Sequence, residues 1–157
     1  MKQVLMALMA FFLVSSAYAQ HPFWLDEAIR VDSPDEFAYW TSIETDCPLI
    51  ESEVERLIEG VLVENKLKPV RDKIFEDGRI YLNVDLRCIR VATDDQHAFT
   101  LNIHFGRYQP WPAILFDAPY SEVGVGSKEE IRRKLRERIV AAVAAFKRVN
   151  TLTIGLR

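Results

Sequence analysis

Two stretches of strict alternation constrain this chain more than any other feature. From Ile80 to Cys88 the even positions are Ile80, Leu82, Val84, Leu86 and Cys88, and the odd ones are Tyr81, Asn83, Asp85 and Arg87. From Phe99 to Phe105 the phase is reversed, with Phe99, Leu101, Ile103 and Phe105 alternating with Thr100, Asn102 and His104. Successive side chains of a strand point to opposite faces, so a period of two predicts strands with one apolar and one polar face. The polar segment Thr93-Asp94-Asp95-Gln96 between them has the length of a turn, which predicts an antiparallel hairpin. Upstream, Asp77-Gly78 after Val70–Phe75 predicts a second hairpin, with Gly78 left-handed and Val70 and Ile74 on the core face. Ala113–Phe116 predicts a fourth strand, and Pro110, Pro112 and Pro119 around it suit an edge, because proline cannot donate to a ladder.

Helix signals flank this block. Ser33 with Glu36, Ser52 with Glu55 and Ser127 with Glu130 each form a capping-box pattern, in which the serine hydroxyl and the glutamate satisfy free N–H groups of a first turn. They predict helices over 34–45, with Pro34 at the first position, over 52–66, and over 127–149. The second carries Val54, Leu57, Ile58, Val61 and Leu62 at helical spacing, with Gly60 marking a close packing contact, and Pro69 ends it. The third has a stripe of Ile131, Leu135, Ile139, Ala142, Val143 and Phe146, with Lys and Arg across the other side of its first half.

The order helix, strands, helix predicts an α+β fold of two layers: an antiparallel meander of three or four strands with the two long helices packed on one face. Cys88 belongs to the apolar face and Cys47 lies just ahead of the second helix, so a Cys47–Cys88 disulfide fits that topology.

The N-terminus gives the disulfide a compartment. Lys2, an apolar run from Val4 to Val14 and the small-residue end Ala17-Tyr18-Ala19 read as a secretory leader over 1–19 cut before Gln20. The run falls short of the roughly twenty residues that span a bilayer, so no membrane insertion is expected after cleavage. The mature part, 20–157, reads as one α+β domain, with an N-terminal arm over 20–50 that carries the short first helix. A leader of this kind implies a periplasmic or secreted location, where thiols pair. With Lys2 removed, 19 basic side chains stand against 23 acidic ones, a balance that excludes a nucleic-acid binder, whose phosphates demand a basic face.

Chemistry-bearing motifs are sparse. His21, His97 and His104 are scattered without metal-ligand spacing, and His97 and His104, seven apart on one strand, face opposite ways, so no metal or cofactor is expected. Ser121 and Ser127 lie outside any nucleophile motif. Gly124-Val125-Gly126-Ser127-Lys128 lacks the residue order of a phosphate loop and reads as turn plus cap. Aromatic clusters at Phe23, Trp24, Phe37, Tyr39 and Trp40, and at Tyr108, Trp111, Phe116 and Tyr120, read as cover for a sheet edge or core end, with the arm draped over the sheet or a partner.

The polar sheet face is the remaining candidate. A four-residue turn sets Asp85 opposite His104 and Arg87 opposite Asn102, and gathers Asn83, Asp85, Arg87, Thr100, Asn102 and His104. The expected function is therefore an exported accessory or binding protein without catalysis, acting on a protein or small ligand. An inhibitor or immunity protein against an enzyme is the narrower version. The alternative is a small hydrolase or isomerase using Asp85 and His104, since an Asp beside a His orients the imidazole for acid–base work.

Overall fold

The computed structural model describes residues 23–32, 34–71, 75–76, 78–91, 95–108, 114–116 and 120–151. The leader, the Ser33 cap, Ile74, Asp77 and the prolines around the fourth strand lie outside them. In chain order the elements are α1 (Phe23–Ala28), β1 (Glu36–Ile43), α2 (Glu51–Glu64), β2 (Lys68–Val70), β3 (Ile80–Arg90), β4 (His97–Arg107), β5 (Ile114–Leu115), β6 (Glu122–Gly126) and α3 (Lys128–Thr151). The fold is α+β, but its sheet is mixed rather than an antiparallel meander. The order is β2-β1-β3-β4, and β5 and β6 both pair with β4.

The largest correction concerns residues 34–45. In place of a helix, Glu36–Ile43 within them form β1, which runs parallel to both β2 and β3. Its residues Phe37, Tyr39, Trp40, Thr41 and Ile43 are aromatic or β-branched, the types that fit a pleated, half-buried surface. Read with period two, the segment sends Phe37, Tyr39 and Thr41 into the core, all nearly inaccessible, while Trp40 and Ser42 face outward. Pairing on both edges outweighs the local helix-start signal.

Parallel neighbours need a crossover, and α2 supplies it between β1 and β2. Because β1 lies between them, the described strands β2 and β3 do not pair as the expected hairpin. Lys68–Val70 instead lies beside β1, and Val70, opposite Ala38, is half-buried on the uncovered face rather than in the core. Gly78 does adopt the left-handed conformation, at φ +73°.

Helix α2 starts at Glu51, so Ser52 is inside it and Ser52-Glu55 forms no cap. Instead the Glu53 carboxylate accepts from the N–H of Ile50 at 3.1 Å. Gly60 marks no close contact, because a Cβ there would meet open space. Helix α3 starts as expected. Ser127 N–H donates to Glu130 at 2.8 Å, and Glu130 N–H donates back to the Ser127 hydroxyl at 3.4 Å. Its stripe from Ile131 to Phe146 is buried throughout.

The core lies between this helix pair and the even positions of β3 with the odd positions of β4. Phe37 stacks on Phe146 at 4.3 Å between ring centroids and meets Phe105 at 6.1 Å. The Cys47–Cys88 disulfide is formed, with Cα atoms 4.9 Å apart, and ties the approach to α2 to the end of β3. The described part of the arm joins this layer as well. Leu25 and Ile29 are fully buried, and the Asn150 side chain accepts from Val31 N–H at 2.9 Å and donates to the carbonyls of Ile29 at 3.2 Å and Phe146 at 2.9 Å. Among the described residues, the 25–31 part of the arm thus packs on the helix side, and 36–43 enters the sheet itself as β1.

Gly124–Gly126, expected as part of a turn ahead of the Ser127 cap, belong instead to β6. Its backbone continues the ladder, and Glu122 fastens it to α3 through Lys134 and Arg138, each at 2.8 Å. Burial pushes the Glu122 carboxyl up, but the hydrogen bonds from Lys134 and Arg138 outweigh it and hold the group below its ordinary value of 4.5. A carboxyl depressed in the fold stabilises above its unfolded pKa and loses that contribution as pH falls through the folded one. Thermal unfolding below pH about 4.5 should therefore fall less steeply for Glu122→Gln than for the unaltered chain. An unchanged acid limb would refute this.

Candidate binding face

The uncovered face of the sheet carries the even positions of β1 and β4 and the odd positions of β3. Register arranges them in rows: Trp40 beside Asn83 beside His104, then Ser42 beside Asp85 beside Asn102, then Arg87 beside Thr100 beside Val123. All six residues expected on one face are thus brought together. Arg87 is exposed and the other five are half-buried.

Their pairing differs from the expectation. The connection between β3 and β4 runs over residues 91–96 rather than four residues, which slides the register by two and preserves every facing. Asp85 therefore stands opposite Asn102 and Arg87 opposite Thr100, while His104 stands opposite Asn83. Asp85 accepts from Arg87 Nε at 3.2 Å along its own strand. His104 Nδ1 lies 3.2 Å from the Phe116 carbonyl oxygen. A carbonyl only accepts, so that contact requires the proton on Nδ1 and makes Nε2 the acceptor nitrogen. His97, by contrast, is buried on the helix side, so the two histidines do face opposite ways.

An aromatic group borders the polar rows. Trp40, 48 % exposed, meets the edge of Phe75 at 6.3 Å, and Phe75, 65 % exposed, meets Tyr108 at 5.6 Å. Tyr81 lies across Gly106 so closely that a Cβ there would fall 2.4 Å from its ring. Glycine at 106 is what lets the phenol lie flat on the strand, and burial raises its pKa. Along the sequence the aromatics form clusters by proximity. The fold sorts them otherwise, with Phe37, Tyr39 and Tyr120 buried and Trp40 at the face. Phe75 was missed because only the tertiary fold brings it to Trp40. Trp111 lies outside the described residues.

A second concavity of about 400 Å³ opens between α2 and α3 over Gly60, lined by Arg56, Arg132, Arg136, Glu53 and Glu64 among others. Its charges serve helix docking: Arg136 pairs with Glu64 at 2.8 Å and Lys128 with Glu53 at 3.0 Å. No group of three or more His, Cys, Asp or Glu suited to a metal occurs among the described residues, and none of their helices is long and apolar enough to cross a membrane.

No protein-family model matches the chain, and no curated protein matches it significantly. Among solved structures, the crystal structure of a minor lipoprotein from Acinetobacter baumannii is similar over 78 % of this chain and 94 % of its own, at 9 % identity and a TM-score of 0.36. No role is carried over from it.

Proposed function

We propose that this chain is an exported, non-catalytic binding protein of the periplasm or extracellular space, which takes a protein or small ligand on its open sheet face. The observation that carries this reading is the juxtaposition of half-buried amide, hydroxyl and imidazole groups with exposed Trp40 and Phe75 on a face that no described helix covers. Isolated surface apolar residues are ordinary, but aromatic rings grouped beside convergent polar side chains are how interfaces anchor and orient a partner. The leader pattern and the Cys47–Cys88 bond support export.

Two details weigh against the hydrolase or isomerase reading. The register offsets His104 from Asp85, and each already has another partner, the Phe116 carbonyl and Arg87. A face of this kind also suits the narrower reading of an inhibitor, for which the retained partner would be an enzyme whose turnover drops.

The test immobilises the purified chain and passes periplasmic extract over the unaltered protein, Trp40→Ala and His104→Ala, with Val63→Ala, exposed on the far side, as control. A species held by the unaltered chain and the control but released about tenfold more readily by the Trp40 variant is the expected result. Equal retention by all four would discard the face. An activity found in the purified chain and abolished by His104→Ala would revive the enzyme instead.

A further inference from the structure

We propose that β6 is a self-pairing edge through which two copies of this chain join their sheets. Along one side β6 pairs with β4, and no described strand lies along the other. A row of open N–H and C=O groups is a template for another strand, and edges are ordinarily protected by lysine, proline or a bulge. Glu122-Val123-Gly124-Val125-Gly126 has no lysine, proline or bulge, its register with β4 being unbroken from Glu122 to Gly126, and its single charged side chain, Glu122, is engaged by Lys134 and Arg138. Its outward side chains are Val123 and Val125, 77 % and 65 % exposed. The apolar surface continues inward, because Val125 lies beside Ala98 and Ala98 beside Ile89, itself 73 % exposed.

A second copy is the occupant this strand fits. Antiparallel pairing centred on Gly124 closes on a two-fold axis, so the same patch serves both partners. It sets Val123 of each copy against Val125 of the other, giving apolar cross-strand pairs on the open face. An in-register parallel pairing would set the two Glu122 side chains together, whereas the antiparallel one sets each opposite Gly126. Lys134 and Arg138 of its own chain already hold each Glu122 carboxylate, so the seam carries no uncompensated charge. One short strand pair with a small patch is modest against the roughly 1,600 Å² of a standard interface, so the association is reversible and varies with concentration. It does not depend on what the open face binds, but it would set two such faces edge to edge.

Sedimentation velocity on the exported chain, from micromolar to near-millimolar concentration, should show monomer giving way to dimer. Amide exchange over 122–126 should slow in step. Val123→Lys with Val125→Lys should weaken the dimer at least about tenfold and leave the melting temperature unchanged, since both side chains are exposed. Val123→Lys with Val125→Glu sets Lys against Glu across the antiparallel seam and should restore association. Monomer throughout, a dimer indifferent to the double lysine change, or no recovery in the Lys/Glu variant would each overturn the proposal.

Discussion

Replacing Cys47 and Cys88 together by serine should lower the unfolding free energy by about 4 kcal/mol, read from denaturant titrations of the altered and unaltered chains. The bond joins positions 41 residues apart, and closing a loop of that length restrains the unfolded chain by roughly this amount in the chain-entropy model. Small domains have about 5–15 kcal/mol in total, so the loss is a large share. Both cysteines are buried, Cys88 against the core face of β3, so the serines would also leave two hydroxyls without water. Adding reductant to the unaltered protein should produce a drop of similar origin but somewhat smaller, because buried thiols replace the hydroxyls. A loss under about 1 kcal/mol would mean that packing around Leu86 and Leu49 alone holds this corner.

Phe37→Ala should cost about 3–5 kcal/mol, whereas Trp40→Ala, three residues on, should cost under about 1. Phe37 is 1 % exposed and touches both Phe105 and Phe146, so truncation leaves a void between the sheet and α3. Trp40 points to solvent across the sheet. A helical reading of 34–45 would put Phe37, Trp40 and Ile43 on one stripe and make all three costly. Comparable losses at 37 and 40, in thermal or denaturant unfolding, would therefore reinstate the helix.

How much was legible depended on whether a segment carried its own period. Ile80–Cys88, Phe99–Phe105 and the stripe from Ile131 to Phe146 each repeat often enough to declare their faces, and the faces were right. The Cys47–Cys88 pairing rested on those faces. β1 did not declare itself, because Ala38 and Trp40 interrupt the alternation with apolar side chains on the outer face, and a Ser-Pro start with Glu36 imitated a helix. Once β1 is misread, the parallel pairing of β2 is invisible too. β6 was hidden by glycines at 124 and 126, where its inward face has no side chains to alternate. The candidate face kept its six residues because a two-residue slip never changes sides. The partner of each did change, and that is what separated Asp85 from His104.

The Asn150 clamp ties together backbone far apart along the chain, spanning 119 positions to Val31 and 121 to Ile29. Phe37 likewise waits for Phe146. The docking of α1 therefore depends on the last turns of α3, which makes this closure a matter of distant contacts rather than local ones.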